Sequence, residues 1–379
     1  INNVIASLIK KDDKFFEDDI IEYAKMYNIC PFQLSLDLSE WCDGIICDYN
    51  YAFDPTVKLK RIFEERNEKN ILLIDEAHNL VSRARNMYSC QIEKSKIVNV
   101  NKVIKGKVPR LYKISNAINK EMILIRRELE EINENITYHN EIYQNLIKLM
   151  KSFINEAESY LIKAKGTLGY EDVLEFYYSA RSFIAVSELY SNKYTTILRK
   201  EKSEFIIKIF CINPSENLKQ TLNGAYSSII FSATLSPIKY YMDLIGGDEK
   251  SFRVRFDSPF NKKNLSTYLY NLDMRYFNRE KNIDMLCKLI NQFITIIVGV
   301  GFPKVSIENN IIQDYFEKNG FDYSYTYPGI NKVLQSVGRV IRTENDKGRV
   351  LLIDNRYSSY KYKAMLPSEW DIKNYKLLN

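Results

Sequence analysis

The first glycine in this 379-residue chain is Gly44, so residues 1–43 hold no glycine-rich turn whose backbone amides could cradle a phosphate. Paired cysteines are missing too. Cys30, Cys42, Cys47, Cys90, Cys211 and Cys287 include no CxxC, which indicates neither a zinc finger nor a disulfide framework. No apolar run approaches the roughly 18 residues that cross a bilayer, and the first residues lack a signal-peptide pattern. Cytoplasm is the expected location, with no membrane partner. The chain opens on Ile1 instead of Met, which reads as a fragment or a processed start. No repeat recurs at a fixed period.

What is present fits an ordinary globular protein. Hydrophobic residues make up 45% and charged residues 27%, and the length allows two or three domains. The net charge of +6 suits a nucleic-acid partner, although no basic tail concentrates it.

Four apolar residues, Ile71 to Ile74, predict a fully buried parallel strand in "NILLIDEAHNL", with polar residues just past its carboxyl end. Ligands bind at that end of open α/β sheets. Upstream, Ile45, Ile46 and Cys47 form a second strand candidate, and Cys42 and Cys47 are expected in the core. From about Val81 to Leu198 the pattern changes to long, charge-laced helices without Pro or Gly through residues 119–161. Strand character returns in "EFIIKIFCI" and "SSIIFSATLSP". Near residue 251 a second lobe begins, with three strand candidates in "STYLYNL", "ITIIVGVGFP" and "GRVLLIDNRY" and a helix over about Asn282 to Phe293.

Three clusters carry chemistry. Asp75 at a strand end can hold Mg²⁺ against phosphate oxygens, Glu76 can orient an attacking water, and His78 can sense the γ-phosphate side. The plain alternative is an acidic strand end capping the next helix. In "QSVGRVIR", Gln335, Arg339 and Arg342 fall at i, i+4 and i+7, which predicts one shared helix face. Two guanidiniums there could stabilise a transferring γ-phosphate; a solvated basic face is the alternative. Ser232, Ala233 and Thr234 form a small polar cluster after a strand, common loop chemistry when taken alone.

In this order, DEAH, SAT and QxxGRxxR resemble motifs II, III and VI of superfamily-two helicases. "ICPFQLS", "GIICDYNYAFDP", "IIVGVGFP" and "DNRY" look like the XPD-like, DinG-related branch, the DEAH-box iron–sulfur DNA helicases, some of which act in DNA repair. The resemblance covers nearly the whole chain and implies an α/β fold: two RecA-like doubly wound motor lobes, both incomplete here, with a mainly helical arch-type insert. It partitions the chain into a partial first lobe at 1–80, the insert at 81–204, a return to the first lobe at 205–250, and a shortened second lobe at 251–379. It implies ATP and Mg²⁺ as cofactors, Ser232 to Thr234 as coupling residues, and a monomer moving 5′→3′ on single-stranded or forked DNA. Cys30, followed by Pro31 and Phe32, looks like the fourth ligand of a [4Fe–4S] cluster. The phosphate loop and three further cluster cysteines would lie upstream of Ile1, and motif V would be deleted between Phe293 and Ile294. The expected function is therefore an ATP-dependent DNA helicase in shortened form. A catalytically inactive remnant that binds nucleic acid or protein is the alternative.

Overall fold

The computed structural model describes residues 2–64, 69–290 and 295–376. Its N-terminal helices, α1 (Asn2–Lys11), α2 (Glu17–Tyr27) and α3 (Pro31–Ser39), form a small core of their own from Ile5, Leu8, Tyr23, Ala24, Leu34 and Leu38. Local chemistry sets their ends. Glu17, Asp18 and Asp19 occupy the electropositive first turn of α2, and the Asp19 carboxylate accepts the Phe16 N–H at 2.9 Å. Asn28 closes α2 in the left-handed region, and Pro31 opens α3, where no N–H is needed.

Residues 45–47 form no strand, contrary to expectation. Ile46 is fully exposed, and Cys42 and Cys47 are exposed rather than in the core. No described strand lies beside the segment to pair with it. Two short helices, α4 (Tyr49–Phe53) and α5 (Lys60–Phe63), lead to β1 (Ile71–Ile74). This strand pairs in parallel with β6 (Ser227–Ile230), Ile71 opposite Ser227 and Ile74 opposite Ile230. Leu72 and Ile74 are buried, but Ile71 and Leu73 are 59% and 67% exposed. Successive strand residues point to opposite faces, and among the described residues only one face of this two-stranded sheet is covered. The strand is half-buried, not fully buried.

Between β1 and β6 runs the insert: α6 (Leu80–Met87), β2 (Cys90–Glu93), α7 (Lys94–Ile104), α8 (Pro109–Glu131), β3 (Ile136–His139), α9 (Gln144–Lys163), α10 (Tyr170–Ser187), β4 (Tyr194–Glu201), β5 (Glu204–Cys211) and α11 (Ser215–Gly224). Helix α8 buries Leu111, Ser115, Ile118, Met122, Ile125 and Leu129, a stripe at helical period. Its helix does not continue into α9. Asn133, with φ 55°, turns the chain into β3. The strands form an antiparallel sheet in the order β2-β5-β4-β3. "EFIIKIFCI" is therefore the insert's own central strand β5, hairpinned to β4 through Lys202 and Ser203. The expected return to the first lobe at residue 205 cuts this hairpin, and the parallel sheet resumes only at β6.

After α12 (Ile238–Ile245) come β7 (Leu265–Tyr270), α13 (Tyr276–Arg279), α14 (Ile283–Ile290), β8 (Thr295–Val298), α15 (Ile307–Tyr315), a π-helical turn (Asp322–Thr326), α16 (Tyr327–Gly338), β9 (Gly348–Ile353), α17 (Tyr360–Lys363) and β10 (Ile372–Asn374). The sheet is parallel throughout, in the order β10-β7-β9-β8. Among the described residues this sheet has four strands where three were expected, because β10 pairs with β7 from far along the chain. Val350 and Leu352 of β9 enter one core cluster and Leu351 and Ile353 another, so the strand is buried on both faces. The expected junction at Phe293 and Ile294 lies outside the described residues. Among those described, no helix is long and apolar enough to cross a membrane.

Candidate nucleotide site

Asp75 and Glu76 stand exposed immediately past the carboxyl end of β1. The turn holding them is tightly specified. Glu76 adopts φ 48°, and its N–H donates to the Asp75 carboxylate at 2.6 Å. The Tyr49 hydroxyl donates to the Asp75 carbonyl, and the neighbouring Asp48 receives Arg83 of α6 at 3.1 and 3.2 Å. The parallel ladder continues beyond both strands, with Phe231 N–H to Ile74 at 3.0 Å and Ala77 N–H to Phe231 at 3.1 Å.

That ladder brings the DEAH and SAT segments together. His78 Nδ1 lies 2.7 Å from Ser232 Oγ and 3.2 Å from a Glu76 carboxylate oxygen. Burial of the imidazole pushes its pKa below the ordinary value, while Glu76 and Asp75 pull the other way. Ser232 Oγ also accepts the Thr234 N–H at 3.3 Å. Thr234 Oγ1, in the same loop, is buried with no hydrogen-bond partner among the described residues.

The arginine segment differs from its sequence reading. Gln335 lies within α16, but the helix ends at Gly338 and Arg339 is its C-cap. Arg342 lies beyond it in a loop, so the three do not share one helix face. Glycine is a poor helix former, and the Asp346 carboxylate accepts the N–H groups of Arg342 and Thr343 at 2.7 and 2.8 Å. These bonds hold the Asp346 carboxyl below its usual range. Arg339 and Arg342 are both exposed, and no hydrogen bond or ion pair joins them to Asp75, Glu76 or His78 among the described residues.

A second cluster, not singled out from residue chemistry, sits at the carboxyl ends of β8 and β9. Asp354 is wholly buried and accepts Arg356 Nε and Nη2 at 2.8 and 2.7 Å. This pairing raises the Arg356 pKa. The guanidinium also lies 4.8 Å from the Phe302 ring centre, and Tyr357 donates to the Gly299 carbonyl at 2.9 Å. The signal was there: "IIVGVGFP" and "DNRY" end adjacent parallel strands.

The residues fit some of the expected cofactors and not others. Exposed Asp75 suits one carboxylate ligand of a hard cation that keeps its waters and phosphate oxygens. The described residues do not by themselves make up the ligand set of a [4Fe–4S] cluster. Cys30 stands exposed at the N-cap of α3, and among the described residues no group of three or more His, Cys, Asp or Glu could hold a metal ion.

Comparison with known proteins now bears on this geometry. The DEAD_2 family model matches residues 8–97, and the helicase C-terminal domain model matches 288–372. One contains Asp75 and the other Arg339. Both matches are to helicase domains, and the chain is similar to the XPD-like superfamily-two helicases. An ATP-dependent DNA helicase CHL1 from Vanderwaltozyma polyspora is 23% identical over 353 residues, covering 80% of this chain and 42% of that relative. A regulator of telomere elongation helicase 1 homolog from Aedes aegypti is 20% identical, covering 93% of this chain and 52% of the relative. The chain thus spans about half the length of these curated relatives. A solved XPD helicase shares this fold, with a TM-score of 0.60 at 15% identity, covering 94% of this chain and 78% of that one.

Proposed function

We propose that this chain is the motor core of an ATP-dependent DNA helicase that couples ATP hydrolysis to movement along single-stranded DNA. The observation that carries this reading is the contact between His78 and Ser232 at the carboxyl end of the β1–β6 pair. It gives the acidic strand end a direct mechanical link to the strand and helix that follow.

In this reading Asp75 would hold a Mg²⁺ ion, which would supply charge neutralisation for the nucleotide's phosphates. Glu76 orients the attacking water, a role its exposed carboxylate allows. His78 and Ser232 report the state of that edge to α12 through the Ser232–Thr234 turn. Arg339 and Arg342, free of ion pairs among the described residues, stabilise charge on the transferring phosphoryl group, with Gln335 four residues before Arg339 on α16. Such an arginine contributes about 10³–10⁵ in rate where the two lobes close. The helices and sheet between β1 and β6 act as the arch over the DNA path.

The shortened form is part of the proposal. The alignment with the mosquito relative runs over 534 residues, more than the 379 here, so it opens gaps in this chain. Nucleotide binding is the decisive test. A fluorescent ATP analogue with Mg²⁺ should bind these 379 residues in the micromolar range, more tightly with single-stranded DNA present, and Asp75→Asn should weaken it. No binding at millimolar nucleotide would sink the active-motor reading and leave a binding remnant.

A further inference from the structure

Helix α15 follows β8 in the second lobe, yet it lies against the insert. Tyr138, Ile197 and Lys208 are directly opposite one another across β3, β4 and β5, and Arg199 is two residues along β4 from Ile197. Strand geometry therefore puts Tyr138, Arg199 and Lys208 on one face of the insert sheet. Two acidic residues, one near each end of α15, meet this face. A Glu308 carboxylate oxygen accepts Arg199 Nη2 at 3.1 Å and Lys208 Nζ at 3.0 Å. Asp314 accepts the Tyr138 hydroxyl at 2.9 Å.

The chemistry of this contact is reversible. Arg199 and Lys208 carry like charge on one sheet face, an unfavourable arrangement without an anion between them. Glu308 supplies it. All three charged side chains keep a fifth to a third of their surface in water. Their pairing is therefore open to screening by salt. Ile311 and Ile312 of α15 enter the core that the first lobe and insert share, which makes them the pivot about which the polar contact parts.

We infer that Glu308, with Arg199 and Lys208, is a polar clasp that closes the insert onto the second lobe and opens under competition from ions. The inference does not depend on ATP hydrolysis. It can be read as an energy-transfer distance between fluorophores carried by unnatural side chains at exposed Asn140 in the insert and exposed Lys332 on α16. At low salt the wild-type chain should show one high-efficiency population. Raising salt to about 1 M, where the screening length falls to about 3 Å, should lower the efficiency. Glu308→Lys should show the lowered efficiency already at low salt. Combining Glu308→Lys with Arg199→Glu and Lys208→Glu should restore it. Efficiency unmoved by Glu308→Lys, or not restored by the reversed set, overturns the clasp. Should Glu308→Lys fail to fold, a wild-type efficiency flat across the salt series overturns it instead.

Discussion

At the scale of single residues, the site depends on groups whose neighbours were invisible in sequence. Asp75 is exposed, but its backbone is tied by Tyr49, so Asp75→Asn changes charge with little effect on the loop. In a nucleotide-binding form of the protein it should reduce ATP turnover by about 10² or more, since a metal carboxylate contributes several kcal/mol to a charged transition state. Undiminished steady-state hydrolysis would remove Asp75 from that role. His78 makes a second prediction. Its folded pKa lies below the unfolded value near 6.5, so the unfolded chain takes up the proton first as pH falls. Stability should be full above that value and decline as pH falls through it toward the folded pKa. Urea midpoints between pH 7.5 and 5.5 should show this loss in the wild type and a smaller one in His78→Asn.

At the scale of elements, junctions between strands and helices bear the constraints. Gly301, after β8, has φ 70°, and a Cβ there would meet the Gly329 carbonyl oxygen of α16 at 2.6 Å. Gly301→Ala should therefore destabilise by more than about 1 kcal/mol, since both the backbone region and the close approach exclude a side chain. A lower denaturant midpoint at an unchanged slope would confirm it. Asp354 at the end of β9 makes a stronger case. Asp354→Ala would leave the Arg356 guanidinium partly buried and unpaired, at a cost of about 3–5 kcal/mol by analogy with other broken buried pairs. A melting curve indistinguishable from wild type would show the pair to be dispensable.

At the scale of the whole molecule, three bodies of packing meet: a small N-terminal helical core, a large core shared by the first lobe, the insert and α15 with the π-helical turn, and a parallel sheet covered on both faces. A nucleic-acid partner for this assembly predicts a measurable electrostatic signature. Affinity for single-stranded DNA should fall linearly in log–log form with salt, by about 0.7 per phosphate contacted. A flat response in a fluorescence-anisotropy titration would argue against a backbone path along the protein.

Much of this was legible in the sequence because it rests on local rules. "GRVLLIDNRY" read as a strand from its apolar run, and "IDEAH" placed its acids at a strand end because the run stops there. The α/β class followed from the order of those segments. Other features were set by partners distant in the chain. Leu73 reads as buried beside Leu72, yet it is exposed because, among the described residues, β1 pairs with β6 alone and one face stays open. Phe205 to Cys211 read as a motor strand, yet they join the insert because β4 is two residues away and closes a hairpin first. Arg342 left its helix because Asp346 captured two backbone amides, and Glu308 found Arg199 and Lys208 only when the sheet set those cations on one face. Periodicity and strand ends are written in neighbouring residues; pairing, exposure and charge contact depend on what the chain brings back from a hundred positions away.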